Sequence, residues 1–253
     1  MRSKLLALVL GLALILAAAP AAAAPAGPGG KTAVTFLGHA AFQLTSGGTT
    51  ILIDPYLTGN PQAAASPDVI KADYILVTHA HQDHLGDTVA IARRTGAKVV
   101  ATAEIARMLK DQGCDVISVH IGAKKAFDFG YVRVTTAIHG SGVAGGHAAG
   151  FIVNLRGVTV YHAGDTALFG DMALLGRLEK IDCALLPIGD NYTMGPDDAV
   201  EAVGMLTPKI VVPMHYNTHA LIKQDPAAFK KAVETRFKGV KVEIMKPGGV
   251  LVL

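Results

Sequence analysis

The chain has 253 residues, of which 51% are hydrophobic and 17% charged, with a formal net charge of +3 at pH 7. This length suits one large domain, and the high apolar content excludes a largely disordered chain. The charges include no long basic run, so the sequence gives no reason to expect a nucleic-acid partner. The two cysteines are Cys114 and Cys183. A disulfide between them is the alternative in an exported protein, but we expect both to be unpaired thiols, because Cys183 lies in an apolar run typical of a core strand.

The first 24 residues have the layout of a secretory signal peptide. Arg2 and Lys4 precede an apolar run from Leu5 to Ala18, and small residues continue to Ala24. Cleavage after residue 23 or 24 fits this pattern. A permanent anchor is the alternative, but the run is short for a bilayer span, which needs about 20 residues. We therefore predict an exported protein, located in the bacterial periplasm, with no stable membrane association after cleavage.

Residues 25–31, rich in Pro and Gly, are predicted to be a flexible lead-in to a single domain over 32–253. Short β-type runs separated by Gly-rich turns come first, and strands and helices then alternate. The predicted strands are 34–37, 41–44, 50–53, 74–78, 98–101, 116–119, 131–138, 150–155, 159–162, 182–187, 210–213, 241–245 and 250–253. The predicted helices are 87–94, 103–112, 167–179, 196–206 and 226–237. This order suits two packed sheets with helices on the outside.

A cluster of metal-ligand side chains directly follows the predicted strand 74–78. It comprises His79, His81, Asp83 and His84. An extended or looping segment can turn residues 79 and 81 one way and residues 83 and 84 another. Imidazole and carboxylate groups suit zinc and related divalent ions, and so many titratable groups without an ion would cost stability. A metal site is therefore favoured over the alternative, a solvated polar loop.

Three more candidate ligands come after later β-type runs. His139 follows the strand 131–138, Asp165 follows 159–162, and His215 follows 210–213. Functional sites are commonly built where strands leave the core. Each residue alone would be read as structural, but their shared position relative to strands predicts that they join the first cluster.

These residues give the sequence a resemblance to the metallo-β-lactamase superfamily. The pattern His79-x-His81-x-Asp83-His84, with the three later residues, matches the ordered motif positions of that superfamily. The sequence is similar in particular to the branch of metal-dependent hydrolases related to bacterial ascorbate-6-phosphate lactonase. The stretches that carry this similarity are 36–39, 51–55, 57–61, 72–76, 161–166, 186–191 and 213–218.

The resemblance implies an α/β fold with four layers, αββα, in which two mixed β-sheets are flanked by helices and the site lies at one edge. It also implies two divalent metal ions. The first would be held by His79, His81 and His139. The second would be held by Asp83, His84 and His215, with Asp165 bridging both. A hydroxide shared by the ions would cleave the substrate, with Asp83 and Asp165 as the catalytic carboxylates.

Other polar residues are candidates for the surroundings of this site. Asp54 either accepts a hydrogen bond from a ligand imidazole or opens an Asp-Pro turn. His39 and His162 match positions of the branch, and we favour buried hydrogen-bonded roles for them. His147, in the Gly-rich stretch 140–147, either contacts substrate or acts as a proton donor in a loop that moves over the site, or it is incidental in a flexible exposed loop. The candidates for substrate contact are Asn191, Tyr192, Asn217 and His219, whereas His120 is predicted to be ordinary surface.

The predicted function is a metal-dependent hydrolase acting on an ester-type bond of a small molecule, with a lactone or phosphodiester favoured. The His-rich ligand set favours zinc, although manganese or iron tolerates the same ligands. The alternative is a non-catalytic metal-binding or ligand-sensing protein on the same fold, but such proteins commonly lose ligands and all seven are present. A β-lactamase is disfavoured, because only the fold and compartment suggest it. The oligomeric state is left open.

Overall fold

Residues 31–253 are described by a computed structural model, so the predicted signal peptide, 1–24, and the lead-in up to residue 30 lie outside the described residues. The described chain forms two seven-stranded sheets. The first has the order β14-β1-β2-β3-β4-β5-β6, and its strands β3 to β6 are parallel to one another. Its strands are β1 (Ala33–Gly38), β2 (Ala41–Ser46), β3 (Thr49–Ile53), β4 (Tyr74–Leu76), β5 (Lys98–Thr102), β6 (Val116–Val119) and β14 (Val250–Val252).

The second sheet has the order β13-β12-β11-β10-β9-β8-β7, with strands β10 to β13 parallel. Its strands are β7 (Lys124–Phe127), β8 (Gly130–Thr136), β9 (Ala149–Leu155), β10 (Val158–His162), β11 (Cys183–Pro187), β12 (Ile210–Met214) and β13 (Lys241–Val242). The helices are α1 (Gln82–Leu85), α2 (Thr88–Thr95), α3 (Ala103–Asp111), α4 (Met172–Leu178), α5 (Pro196–Leu206) and α6 (Pro226–Arg236), with a short 3-10 helix at Ala220–Ile222.

Three apolar clusters hold the layers together. The central cluster lies between the sheets, where side chains such as Phe42 and Ile53 meet Phe151 and Leu185. A second cluster packs helices α4, α5 and α6 on the outer face of the second sheet. A third packs α2 and α3 on the first sheet. Strand β11 is apolar and buried at every position because it is covered on both faces. The four-layer αββα fold is therefore confirmed.

The main departures from the predicted elements lie at edges and ends. Strand β7 was not predicted, because its sequence Lys-Lys-Ala-Phe lacks an apolar alternation and it is an edge strand. The helix predicted over 167–179 begins only at Met172, since the Ala167 backbone N–H donates to Ile138 O, 3.2 Å away, and ties the preceding loop to the end of β8. The strand predicted over 241–245 ends at Val242. Within 31–253, no helix combines the length and apolarity that a bilayer crossing requires.

Both cysteines are buried and unpaired, as predicted. Burial raises the pKa of the Cys183 thiol, and the negative charge of Asp182 adds to this effect. Cys183 is a core residue of β11, where it packs in the cluster between the sheets.

A buried carboxylate, Glu179, joins the end of α4 to the edge of the second sheet. It accepts hydrogen bonds from the Tyr131 hydroxyl, from Arg133 Nε at 2.7 Å and from Lys124 Nζ at 3.2 Å. Burial alone would raise the pKa of Glu179, but these three donors bring it below its usual value. The ionised carboxylate therefore stabilises the folded chain.

Replacement of Glu179 with Gln is expected to lower the free energy of unfolding by about 1–3 kcal/mol at pH 7, because the cationic donors lose their charged acceptor. Since the folded-state pKa is depressed, this stabilisation is present above the unfolded-state pKa of about 4.5 and declines as the pH falls through the folded-state value. Urea unfolding of both proteins at pH 7 and below pH 4.5 measures the difference. Glu201→Gln, at an exposed ion pair with Arg236, is the control and should change stability little. A pH-independent loss at Glu179 would contradict the charge-based explanation.

Candidate metal centre

The site lies at the edge where the carboxyl ends of strands from both sheets meet. Residues 79–84 follow β4 in the first sheet, and a one-turn helix beginning at Gln82 changes the direction of the chain between His81 and Asp83. From the second sheet, His139 follows β8, Asp165 follows β10 and His215 follows β12. The carboxyl ends of strands from two facing sheets thus bring together side chains that are distant in sequence.

One group of three histidines has ligand atoms close enough to share an ion. His79, His81 and His139 each offer a ring nitrogen within 4.8 Å of the others. His81 Nδ1 lies 3.0 Å from His79 Nε2 and 3.3 Å from His139 Nε2. Three imidazole nitrogens that face one another across this distance suit one divalent cation.

A second group lies beside the first. Asp83, His84, His215 and also His39 each offer a ligand atom within 4.8 Å of the others. His84 is completely buried and His215 nearly so, whereas Asp83 is 38% exposed and faces the cavity.

Asp165 lies between the two groups and contacts both. Its Oδ1 is 3.1 Å from His84 Nε2, and its Oδ2 is 3.1 Å from His215 Nε2. The same Oδ2 is 3.6 Å from His139 Nε2 and 3.9 Å from His79 Nε2. One carboxylate therefore faces four of the candidate ligand nitrogens.

The polar atoms at this junction fit a cation. His84 Nε2, Asp165 Oδ1 and His215 Nε2 are buried and lack a hydrogen-bond partner of proper geometry. The 3.1 Å approach of His84 Nε2 to Asp165 Oδ1 is thus close without being a hydrogen bond. Buried polar atoms are costly unless they are paired or coordinate an ion. These inward-facing nitrogen and oxygen atoms are of the types that could hold a divalent metal ion.

Behind the ligands, Asp54 is a completely buried hydrogen-bond acceptor. Its Oδ1 accepts from the Thr78 N–H at 2.8 Å, and its Oδ2 accepts from the Thr78 hydroxyl at 2.6 Å and from His84 Nδ1 at 2.8 Å. Burial would raise the pKa of Asp54, but the neighbouring His84 lowers it below its ordinary value. The ionised carboxylate thus holds His84 with its Nε2 turned toward Asp165.

His162 has a structural role. Its Nε2 donates to Ala40 O at 2.9 Å, and its Nδ1 accepts from the Gly164 N–H at 3.1 Å. The ring lies behind the site and fixes the turn that leads into Asp165.

His39 is also buried, but it touches the second group directly. Its Nε2 is 3.2 Å from Asp83 Oδ2, its Nδ1 is 2.8 Å from Thr218 Oγ1, and its backbone O accepts from the His215 N–H at 2.9 Å. Burial lowers the pKa of His39 to about 4, although the hydrogen bond to Asp83 acts in the opposite direction. The sequence alone gives no role for Thr218. Its contact with a residue 179 positions away leaves no local signal.

A cavity of about 230 Å³ opens over the cluster. Its floor is formed by the candidate ligands, and Tyr192 and His219 lie at its rim with ring centroids 6.3 Å apart. Asn191 and Asn217 are neighbours of these rim residues in the chain but do not line the cavity. The residues that line it are His81, Asp83, His139, Asp165, Tyr192, His215 and His219.

The rim is made of two loops, one that contains Tyr192 and one that contains His219, and Gln224 links them by hydrogen bonds. Asn217 and Gln224 exchange two hydrogen bonds, from Asn217 Nδ2 to Gln224 O at 3.1 Å and from Gln224 N to Asn217 Oδ1 at 2.8 Å. Gln224 Nε2 also donates to Gly189 O at 3.1 Å. Asp190, Asn191, His215 and Asn217 all have positive φ angles, an uncommon conformation that clusters at functional sites.

His147 lies outside the cavity. The Gly-rich stretch 140–147 packs against the 79–81 segment, where the Ala80 N–H donates to Ser141 O at 2.8 Å. The Thr102 hydroxyl donates to His147 O at 3.1 Å. The His147 ring is exposed and lies 5.6 Å from that of His120, also exposed, on the far side of this loop. These tethers place the His147 side chain away from the candidate ligands.

Fold and site together define a member of the metallo-β-lactamase superfamily. A family model described as Beta-lactamase superfamily domain matches residues 49–216. The chain belongs, more narrowly, to the UPF0173 metal-dependent hydrolases. It is 52% identical over 223 residues to such a protein from Pelotomaculum thermopropionicum, with 85% of this chain and 97% of the relative covered.

Two further relatives agree with this assignment. The UPF0173 metal-dependent hydrolase of Thermus thermophilus is 49% identical over 222 residues, with 86% of this chain and 97% of that protein covered. Among solved structures, the metallo hydrolase Igni18 from the archaeon Ignicoccus hospitalis superposes with a TM-score of 0.83 at 39% identity, covering 88% of this chain and 98% of that one. The chain is thus a metal-dependent hydrolase.

Proposed function

We propose that this hydrolase holds two divalent cations, preferentially zinc, and cleaves an ester-type bond in a small molecule. The observation that carries the proposal is the position of Asp165, whose two oxygens face both groups of candidate ligands. A single carboxylate shared between two sets of imidazoles is the arrangement expected of a dinuclear hydrolytic centre.

The donor atoms divide between two sites. The first cation would be held by His79, His81 and His139, and the second by Asp83, His84 and His215. Asp165 would contribute an oxygen to each. When bound, the two cations would lower the pKa of a water molecule between them and polarise the bond to be cleaved. Five imidazoles among seven ligands favour zinc, while manganese and iron accept the same set.

The chain's own residues supply orientation and charge around this centre. His39 and His215 hold the pKa of Asp83 well below its usual value despite its partial burial, so Asp83 is a carboxylate at neutral pH. Its position in the cavity floor places this negative charge beside the substrate, where it can hold a cation and accept a hydrogen bond. Tyr192 and His219 at the rim are the groups available to donate hydrogen bonds to a carbonyl or leaving-group oxygen.

The cavity favours a small substrate with little charge. Its volume of about 230 Å³ lies below the range of about 300–1,000 Å³ common for drug-sized ligands. Among the described residues that line it, none is Lys or Arg, so an anionic substrate would depend on the cations alone for its counter-charge. We therefore place lactones and simple carboxylic esters ahead of phosphodiesters.

Metal analysis of the mature protein tests the proposal, followed by assays with lactones, carboxylic esters and phosphodiesters. We expect about two metal ions per chain and the fastest turnover with a lactone or carboxylic ester. His81→Ala should lose both metal and turnover, whereas substitution of the exposed His120 is the matched control and should change neither. Wild-type turnover in His81→Ala would overturn the mechanism. A protein with two bound metals that cleaves no ester would support the non-catalytic alternative.

Metal binding is expected to strengthen as the pH rises. Burial alone would lower the pKa of His215, but the charge of Asp165 raises it to about 9. In the metal-free protein the protonated His215 stabilises the fold. This stabilisation is fully present at pH values below the unfolded-state pKa of about 6.5, and it is lost as the pH rises through the folded-state pKa of about 9. A cation must displace that proton, so affinity should increase between pH 6.5 and 9 by up to about tenfold per pH unit for each proton released. Zinc titrations by calorimetry in buffers of different ionisation enthalpy count the protons. A constant affinity across this range would contradict the expectation.

We also propose export of the mature protein to the bacterial periplasm, on the strength of the signal-peptide pattern in residues 1–24. N-terminal sequencing of the protein isolated from periplasmic and cytoplasmic fractions tests this. A periplasmic protein beginning at Ala24 or Pro25 is expected, and an intact Met1 in the cytoplasmic fraction would refute the proposal.

A further inference from the structure

His39 joins the second group of candidate ligands to the rim of the cavity. Its ring touches Asp83 on one side and Thr218 on the other, at 3.2 and 2.8 Å. Its backbone carbonyl accepts from the N–H of His215, and the two rings are 4.1 Å apart. His39 therefore contacts two candidate ligands of the second cation, Asp83 and His215, and also Thr218, which precedes the rim residue His219.

The hydrogen-bond partners fix which nitrogen of His39 carries the proton. An ionised carboxylate only accepts, so the nitrogen that faces Asp83 must be Nε2–H. The ring is 1% exposed, and burial favours its neutral form. In the neutral ring Nδ1 is then an acceptor, and the Thr218 hydroxyl donates to it. The Thr218 hydroxyl therefore donates to Nδ1 of His39, and Nε2–H of His39 donates to Asp83.

This arrangement of protons separates His39 from the ligands. Its Nε2 is close enough to the second group to be counted geometrically among the possible donors. A nitrogen that carries a hydrogen has no lone pair for a cation, so the ring orients Asp83 instead of binding metal. We propose that His39 and Thr218 are positioning residues that set the affinity of the second cation and couple that cation to the rim loop 215–224. This inference rests on the proposed dinuclear site.

The rim loop has the contacts needed for such coupling. Thr218 follows Asn217, which Gln224 clasps with two hydrogen bonds, and Gln62 Nε2 donates to Asn217 O at 3.3 Å. Thr218 also precedes His219, which lines the cavity. A cation that draws Asp83 into a fixed orientation would therefore also restrain Thr218 and the residues on either side of it.

The decisive pair of variants is His39→Asn and His39→Gln. The Gln amide nitrogen reaches the position of Nε2 and keeps a donor for Asp83, whereas the shorter Asn reaches only the position of Nδ1. Zn²⁺ is titrated against a competing chelator into the full-length, metal-stripped proteins. For the second cation, His39→Asn should bind about 10–100-fold more weakly than wild type, and His39→Gln should stay within a few-fold. The first cation should bind equally in all three proteins.

A second pair of variants, Thr218→Val and Thr218→Ser, tests the coupling between the second cation and the rim loop without altering the buried ring of His39. Thr218→Val should weaken the binding of the second cation several-fold, whereas Thr218→Ser, which keeps the hydroxyl, should leave that binding unchanged. Amide hydrogen exchange supplies a readout that a merely structural role would not move. Exchange over residues 217–222 should slow when the second cation binds wild type, and this response should be lost in Thr218→Val.

The outcomes separate the inference from the function on which it rests. A wild-type protein that binds no second Zn²⁺ would remove the dinuclear proposal itself. Two tightly bound ions in wild type, with unchanged affinity in His39→Asn, would overturn only the positioning role. Equal loss in His39→Gln and His39→Asn would show that the ring itself is a ligand. An unchanged exchange response in Thr218→Val would refute the coupling to the rim.

Discussion

Replacement of Asp165 with Asn is expected to reduce the amount of bound metal from about two ions per chain to one or fewer. Turnover should fall by about three orders of magnitude or more. Asp165 Oδ1 and Oδ2 face both groups of candidate ligands, and an amide supplies only one oxygen and no negative charge. The Asn nitrogen would also direct its hydrogens at the imidazole nitrogens that a cation needs. Metal content by mass spectrometry and turnover on a lactone measure the two effects.

The fold of the Asp165→Asn protein should survive, because the strands on either side of the site are held by the apolar clusters. Asp115→Asn, which removes an exposed carboxylate near the start of β6, is the matched control and should keep both metal and turnover. If Asp165→Asn retained two tightly bound ions, Asp165 would not be the bridge between the two groups.

Replacement of Asp54 with Asn is expected to weaken the binding of the second cation by about 10–100-fold, although it removes none of the candidate ligands. Asp54 Oδ2 accepts from the Thr78 hydroxyl and from His84 Nδ1, while Oδ1 accepts from the Thr78 N–H. In either orientation an Asn amide directs its NH₂ at one of these donors. With NH₂ toward His84, that imidazole would turn to the tautomer with a proton on Nε2, the nitrogen that faces Asp165.

The same change should cost about 1–3 kcal/mol of unfolding free energy, since one buried donor at Thr78 or His84 is left without an acceptor. Zinc titration and urea unfolding measure the two consequences. Asp73→Asn is the control, because Asp73 accepts from the Thr50 N–H at 2.7 Å on the same sheet but lies in an exposed setting. Wild-type zinc affinity in Asp54→Asn would mean that the orientation of His84 does not depend on Asp54.

The cluster of candidate ligands that follows β4 can be predicted because its signal is local. His79, His81, Asp83 and His84 follow an apolar strand within six residues, and that pattern has few explanations other than a metal. The strands of the core were predictable for a similar reason, since β11 and β12 are apolar runs of the length of one strand. Burial on both faces leaves little freedom in the sequence.

The rest depends on contacts that the order of residues does not encode. Thr218 and His39 are 179 residues apart, and neither residue type is unusual in its own surroundings. The clasp between Asn217 and Gln224 arises from the conformation of a loop, where polar residues are common. Strand β7 is stabilised by pairing with β8 and by the buried Glu179 instead of by its own apolar residues. Such features require the tertiary structure.

The candidate ligands are divided between the two sheets. Residues 79–84 leave the first sheet, and His139, Asp165 and His215 leave the second. Neither half of the chain carries all the residues proposed for the second cation, so that cation would bind only after the two sheets have docked. Because the unfolded chain lacks the site, the binding energy of the cations would stabilise the whole fold. A chain whose two sheets have not docked would therefore be expected to bind less metal than the folded protein.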